Sequence, residues 1–256
     1  MSLLALEFPP VSHIIEWPDM AFDGTAYAFN KIALLTIGAA LITGVLFFLA
    51  GRKGALVPTG VQNVVEAGVD FVRDGIIMQT MGPSGLRFLP FLTTVFFFIF
   101  FCNLWEVIPG IQMPATARMA IPAFIALTVW LIYNGVGIIK QGPFGYLKNS
   151  IIPPGVPAAL LPLVAMIEFL SKFIVTPFSL AVRLFANMLA GHLLLVTFGV
   201  LSAALFSKTA LALILPLPFL MLILLTAFEV FVAGLQAFIF TMLTAVYIDA
   251  SANPHH

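Results

Sequence analysis

The stretch from Ile167 to Leu195 reads IEFLSKFIVTPFSLAVRLFANMLAGHLLL and lies between long apolar runs. It carries four ionisable side chains, Glu168, Lys172, Arg183 and His192. A bare charge at the centre of a bilayer helix costs about 3 kcal/mol on insertion scales. If this stretch is a membrane helix, its ionisable groups therefore need partners or water.

Composition places the whole chain in the membrane class. Of its 256 residues, 61% are hydrophobic and 9% are charged, whereas soluble domains carry about 25% charged residues. The formal net charge of zero gives no reason to expect a nucleic-acid partner. The one cysteine, Cys102, excludes an intrachain disulfide and offers no metal-ligand spacing. We expect no metal, no cofactor and no active site of the chain's own.

Hydropathy predicts an all-α polytopic membrane protein with about five membrane-crossing helices. An apolar run of about 20 residues is enough to cross a hydrocarbon core of about 30 Å. Three predicted spans cover 32–50, 88–108 and 119–139, and two longer apolar stretches follow at 158–206 and 209–248. All belong to a single integral membrane domain, 1–256, and no cleavable signal peptide is apparent at its start.

The two long stretches exceed what a perpendicular span needs. As single helices they would measure about 70 Å and about 60 Å at 1.5 Å per residue. Each could instead be two spans joined by a tight turn, but neither contains a convincing polar turn, and Thr176-Pro177 would kink a helix without reversing it. We predict an antiparallel hairpin over 158–248, built of two strongly tilted helices that wrap around another protein.

Charged segments predict what lies at the membrane surface. Residues 1–30 are expected to form an N-terminal surface segment, and 58–81 an amphipathic surface helix with its valines on one face and Gln62 on the other. Basic residues close the first and third spans, at Arg52-Lys53 and at Lys140, and such residues mark the cytoplasmic side. The N-terminus is then outside, the C-terminus is cytoplasmic, and the glycine- and proline-rich residues 140–157 form a cytoplasmic loop.

Polar residues of the opening stretch share one side of the predicted helix. On an ideal helix they fall within a stripe about 100° wide, and they are Glu168, Lys172, Thr176, Ser179, Arg183 and Asn187. Packing between transmembrane helices would explain Thr176 and Ser179. It does not explain the ionisable groups, so the stripe indicates a function.

A second polar face lies on the last helix. Glu229, Gln236 and Tyr247 share that face, and His192, which is off the stripe, could meet it across the hairpin. A neutral histidine facing a carboxylate is a plausible proton relay, and a purely structural interhelical pair remains the alternative. An arginine between two polar tracks cannot shuttle protons itself, but it can hold a carboxylate ionised. We expect another chain to supply that carboxylate.

Three motifs resemble one known family. They are PFSLAVRLFANMLAGH at 177–192, GLQAFIFTMLTAVY at 234–247 and NLWEVIP at 103–109. Together they resemble subunit a of the F-type ATP synthase of bacteria, and the resemblance covers the C-terminal two-thirds of the chain. Two departures from the family pattern stand out: His192 and Glu229 exchange the acid and histidine of many bacterial members, and Glu168 stands 15 residues before Arg183 where the pattern has 14. A third position of note is Lys172, which resembles a basic position of bacterial members and would serve an anionic headgroup or the exit mouth.

The resemblance implies a site and a set of partners. Arg183 would be the essential arginine that faces the carboxylates of a ring of c subunits. The outer proton path would comprise Asn103, Glu106, His192, Glu229 and Gln236, and the inner path Glu168, Ser179, Asn187 and Tyr247. Partners would be the c ring, b-type peripheral stalk subunits, the remaining synthase subunits and the lipid of a bacterial plasma membrane. Two other functions stay open, a proton-coupled transporter that binds a small anion at Arg183 and a non-conducting scaffold.

Overall fold

The computed structural model describes residues 29–53, 57–108, 110–152, 156–157, 160–206 and 213–253. Five of its helical segments are long and apolar enough to cross a membrane, which confirms the all-α polytopic prediction. The predicted surface segment 1–30 lies almost wholly outside the described residues, as does Pro109 of the third motif.

The helices follow one another in this order: α1 (Lys31–Lys53), α2 (Val61–Val72), α3 (Met78–Thr80), α4 (Leu89–Leu104), α5 (Ala120–Gln141), α6 (Pro143–Ile151), α7 (Leu161–Leu170), α8 (Thr176–Leu205) and α9 (Pro216–Ala252). Wider π-helical turns at Arg73–Ile77 and Ser171–Val175 join α2 to α3 and α7 to α8. Tighter 3₁₀ turns occupy Gly82–Phe88, before α4, and Ala115–Ala117, before α5.

Both long apolar stretches are single helical segments, as predicted. The first runs unbroken from Leu161 to Leu205 and the second is α9. At Thr176 the chain does not reverse, because the backbone N–H of Thr176 reaches the carbonyl of Ser171 across a π-helical turn and the helix continues. Arg183 lies midway along the first segment, with 22 residues on either side.

The apolar core lies between α4, α5, α8 and α9. On α8 it takes Leu180, Leu184 and Met188, each at most 3% exposed. Residues four apart share one face of a helix, so these three side chains form one buried row, and the adjoining face of α8, with Ser179, Arg183 and Asn187, is exposed. Large apolar side chains elsewhere on the spans are exposed, such as Phe124 at 69%, as expected for surfaces that meet lipid.

The amphipathic segment packs against α1 and α4 with only part of its apolar face. Val65, Val72 and Ile76 are buried, whereas Val64 is 66% exposed. The assignment of Gln62 to the polar face is wrong, because this side chain is buried and donates from Nε2 to Glu66 Oε1 at 2.7 Å. The protein neighbours, rather than the mean hydropathy of the face, decide which residues are covered.

The predicted loop 140–157 contains a helix. Gly142, with φ of 75°, ends α5, and Pro143 begins α6 at once. Glycine just past a helix end and proline at a first helical position are both boundary residues. Here they separate two helices, so the loop prediction is wrong for Pro143–Ile151.

Candidate functional site

A cluster of buried polar side chains forms where α4 ends. Helix α4 stops at Leu104, and the following residues form 3₁₀-type turns, with Glu106 N–H donating to Asn103 O at 3.2 Å. This tightening directs Glu106 inward, where it is 2% exposed. Its Oε1 lies 3.8 Å from Nδ1 of His192 on α8.

Glu229 of α9 joins the same cluster. Its carboxylate packs against Gly191, where an added Cβ would stand 2.5 Å from Oε1, and Glu229 is 4% exposed. Because Gly191 immediately precedes His192, the structure gathers two carboxyl groups and one imidazole. Glu106 faces His192 and interacts electrostatically with Glu229, and the meeting of His192 itself with the polar face of α9 stays a prediction.

Burial controls the charge of Glu106. This residue lies in the turn after the second span, and its removal from water raises its pKa to about 8, with the nearby Glu229 carboxylate raising the pKa further. Desolvation and a like charge both favour the protonated acid. Glu106 can therefore hold a proton at neutral pH and release it with little change in pH.

Asn103 is held by a residue that the sequence did not single out. Thr116 Oγ1 donates to Asn103 Oδ1 at 2.6 Å, and both side chains are buried. Thr116 belongs to the short 3₁₀ turn Ala115–Ala117, in the connection between α4 and α5. Its hydroxyl assigns Oδ1 as the accepting atom of the Asn103 amide, and the amide nitrogen Nδ2 does not take part in this hydrogen bond.

A hydrogen bond links the buried polar face of α9 to the exposed face of α8. Asn187 Nδ2 donates to Gln236 Oε1 at 3.4 Å. Gln236 is buried at 4% exposure, whereas Asn187 is exposed. Asn187 was expected on the inner path, but this hydrogen bond joins it to Gln236, which was expected on the outer path.

Arg183 lies on the same exposed face, one turn before Asn187. Among the described residues, no carboxylate forms an ion pair with its guanidinium. A cation at the middle of a membrane-spanning helical segment is costly in lipid. The sequence-based expectation of a partner from another chain stays a prediction.

A cavity of about 450 Å³ opens beside the cluster. Its polar lining comes from Glu106, Gln112, His192 and Thr226, and its apolar lining follows α8 from Leu195 to Ala203. Since α8 ends at Leu205, the cavity extends from the buried cluster toward that end of the helix. It is large enough for many water molecules, which occupy about 30 Å³ each.

Several polar atoms of the cluster are buried without a hydrogen-bond partner in the described part of the chain. They are Asn103 Nδ2, Glu106 Oε1, Glu229 Oε2 and Gln236 Nε2. A buried polar group without a partner costs about 1–3 kcal/mol. Glu106 itself lines the cavity, and unpaired buried groups of this kind indicate a site that water, a proton carrier or an ion uses.

Residues predicted for the inner proton path have their own polar contacts. Glu168 Oε2 lies 3.7 Å from Lys172 Nζ, and this partly exposed pair is only weakly stabilising. Tyr133 OH donates to the Lys172 carbonyl at 3.0 Å, and its ring lies 5.7 Å from that of Tyr247. Ser179 is exposed on the Arg183 face.

The π-helical turn explains the Tyr133 contact. Thr176 N–H donates to Ser171 O instead of Lys172 O, and Pro177 has no N–H to offer. The Lys172 carbonyl is then left for the Tyr133 hydroxyl. Sequence analysis missed Tyr133, Thr116 and Gly191 because their roles depend on contacts between elements; the proline at 177 was the one local signal.

Known proteins are similar in sequence to this chain along nearly its whole length. Residues 32–249 match the family described as ATP synthase A chain. The chain belongs to this family. ATP synthase subunit a of Frankia alni is 41% identical over 247 residues, which cover 94% of this chain and 83% of the relative. The corresponding subunits of Maricaulis maris and Streptomyces lividans are 40% and 38% identical and also cover 94% of this chain.

Family membership confirms the resemblance seen in the three motifs. It gives the chain the role of an F-type ATP synthase a subunit, and hence a place in the ATP synthase complex. With its spanning helices, it is a multi-pass protein of a bacterial membrane.

Proposed function

We propose that this member of the family is the proton-conducting stator of a rotary synthase, with Arg183 as a fixed cation between two half-channels. The observation that carries the proposal is the position of the Arg183 guanidinium. It lies on an exposed face at the middle of the helical segment Leu161–Leu205 and forms no ion pair with a carboxylate of the described chain. A ring of c subunits turning against this face would bring carboxylates to it one after another.

The outer half-channel follows the buried cluster. Protons enter through the 450 Å³ cavity to Glu106 and His192, whose facing atoms are 3.8 Å apart. Glu229 and then Gln236 follow along α9, and Asn187 connects Gln236 to the surface beside Arg183. Water in the cavity would satisfy the polar atoms that lack partners, and Asn103, held by Thr116, lies at the same end.

The inner half-channel begins on the other side of Arg183. Ser179 continues the exposed face, and Glu168 and Tyr247 lie farther along, near the Lys172 and Tyr133 contacts. In this proposal the N-terminus is outside and the C-terminus cytoplasmic, because basic residues follow the first and third spans. Each proton that crosses 100 mV releases about 2.3 kcal/mol, so several must pass for each ATP.

Arginine suits the divider position for a physical reason. It does not release its proton, and its planar fork can donate two parallel hydrogen bonds to one carboxylate. It therefore keeps a passing ring carboxylate ionised and repels a proton that would leak directly between the half-channels. Stalk subunits of the b type would hold the chain still while the ring turns.

Replacement of Arg183 in the assembled complex tests the proposal. Arg183→Lys keeps the charge but loses the fork, and we expect it to abolish coupled ATP synthesis while the complex still assembles. Arg52→Lys, at the exposed end of α1, is the matched control and should retain wild-type synthesis. Wild-type synthesis in Arg183→Lys would leave the scaffold hypothesis, and solute transport by the isolated chain would favour the transporter.

A further inference from the structure

Helix α6 presents an apolar face outside the protein. Phe144 is 88% exposed and Leu147 is 45% exposed. Lys148 and Ile151 lie on the same side, since residues spaced by three, four and seven share a helix face. Ile139, near the end of α5, is 86% exposed as well. Such a surface is unfavourable in water, so something apolar must cover it.

The opposite face of α6 is fixed to the protein. Tyr146 and Ser150 are buried. Tyr146 OH donates to Asn134 Oδ1 at 2.9 Å, and Lys172 Nζ donates to Ser150 O at 2.9 Å. These two anchors, on α5 and on the π-helical turn, hold the helix in one rotation and keep Phe144 turned outward.

Those anchors also set the depth of α6. The Tyr146 ring packs on Gly137, and its hydroxyl reaches Asn134. These residues precede the end of α5 at Gln141 by four and seven positions, or about 6 Å and about 10 Å along the axis. A helix of 22 residues measures about 33 Å, close to the 30 Å hydrocarbon core. Helix α6 thus lies beside the last turns of a spanning helix, at the level of the membrane interface.

The charge of this region fits an anionic membrane surface. Residues 139–152 contain Lys140 and Lys148 but no aspartate or glutamate. Lys140 Nζ donates to Asn253 Oδ1 at 3.2 Å, which leaves Lys148 as the cation beside Phe144 and Leu147. Basic residues bordering an apolar face are typical of helices that lie in the plane of a membrane.

We propose that α6 is an interfacial anchor that inserts Phe144 and Leu147 among lipid acyl chains and binds the phosphate of an anionic phospholipid through Lys148. The anchor is independent of the proton path, since none of the residues assigned to either half-channel lies on this face. The Tyr146–Asn134 and Lys172–Ser150 contacts join α6 to α5 and to the π-helical turn, so the anchor attaches both of these elements to the bilayer surface.

Site-specific fluorescence on the full chain tests the anchor. A bimane label at Leu147→Cys reports the proposed buried face, and one at Asn149→Cys reports the other side of the same helix. Cys102 is fully buried, and the unsubstituted chain measures background labelling. In vesicles containing phosphatidylglycerol, nitroxide lipids should quench the label at 147 more than that at 149, and aqueous iodide should do the reverse. Equal quenching at both positions would overturn the proposal.

Lipid specificity is tested on the same labelled chain. One lysine near an anionic surface contributes a factor of about five in binding, so Lys148→Gln should lower the ratio of docked to undocked label about fivefold in phosphatidylglycerol vesicles. Lys148→Arg should keep the ratio of the chain with Lys148. In vesicles of phosphatidylcholine alone, the chain with Lys148 and the two variants should give the same ratio. If Lys148→Gln leaves the ratio in phosphatidylglycerol vesicles unchanged, the proposed phosphate binding is overturned. Protection of 147 that arises only in the assembled complex would assign the face to a protein partner and overturn the anchor.

Discussion

Gly191 on α8 leaves the space that the Glu229 carboxylate of α9 occupies, and a Cβ atom at position 191 would stand 2.5 Å from Glu229 Oε1. Real Cβ atoms essentially never approach so closely. The carboxylate beside His192 is therefore positioned by the absence of a side chain. The two long helices meet here, and a single methyl group would change the geometry of the proposed relay.

Gly191→Ala should displace Glu229 and impair proton transfer. The added methyl group meets the far end of the Glu229 side chain, so this side chain can rotate away and the chain can still fold with the carboxylate displaced. If the displacement raises the barrier to proton transfer by about 1.4 kcal/mol, transfer slows tenfold. Proton flux through the reconstituted complex should therefore fall about tenfold. Gly44→Ala on α1, where nothing lies within 4 Å, is the control and should keep its flux. Equal flux in the two variants would show that Glu229 tolerates displacement.

Glu106 should make the stability of the chain depend on pH. The folded chain, with a pKa of about 8 for Glu106, holds a proton that the unfolded chain releases near its ordinary pKa of 4.5. The folded state thus binds more protons in this interval, so the free energy of unfolding falls as pH rises from about 4.5 to about 8 and is flat above it.

Glu106→Gln is neutral at every pH and should lose that component of the slope. Thermal unfolding of the purified chain in detergent, measured across the interval, gives the comparison. Thr128→Ser serves as the control, because it changes a side chain whose exposed hydroxyl does not ionise and should leave the slope unchanged. A wild-type slope in Glu106→Gln would mean that Glu106 is ionised in the folded chain.

Long apolar runs made the spans predictable, because run length alone decides whether a helix can cross a bilayer. The Glu106–His192 contact was not predictable in this way. It requires α4 to end at Leu104 and the next residues to tighten into 3₁₀ turns, while hydropathy continues the span to Ile108. Likewise, Gly142 and Pro143 mark a boundary between two helices as readily as a loop, so α6 was missed.

Thr116→Val should destabilise the connection between α4 and α5. The change keeps the shape but removes the hydroxyl that donates to Asn103 Oδ1 at 2.6 Å, leaving a buried acceptor unpaired. The expected loss is about 1–3 kcal/mol. Thr128→Val removes only an exposed hydroxyl that bonds its own helix and should change the unfolding free energy by about 0.5 kcal/mol or less. Identical thermal unfolding of the two variants would argue against a structural role for Thr116.

Gly137→Ala should loosen α6 from α5. The Tyr146 ring occupies the position that a Cβ at 137 would take, so alanine must push the ring away and weaken its bond to Asn134. Hydrogen exchange of Pro143–Ile151 should accelerate. At Gly135, two residues earlier, an added Cβ would have nothing within 4 Å. Gly135→Ala should therefore raise the free energy of unfolding by about 1 kcal/mol through helix propensity. Unchanged exchange in Gly137→Ala would mean that other contacts hold α6.

The π-helical turn Ser171–Val175 has a consequence for how sequences of this family align with their structures. In such a turn the hydrogen bond spans five residues instead of four, as it does between Thr176 N–H and Ser171 O. The turn therefore absorbs one residue without breaking the helix. Glu168 stands 15 positions before Arg183 in this chain, one more than the family pattern. A one-residue insertion confined to the bulge would leave Glu168 in the same spatial register with Arg183 as in its shorter relatives, so structural equivalence here must be counted in helical turns and not in residues.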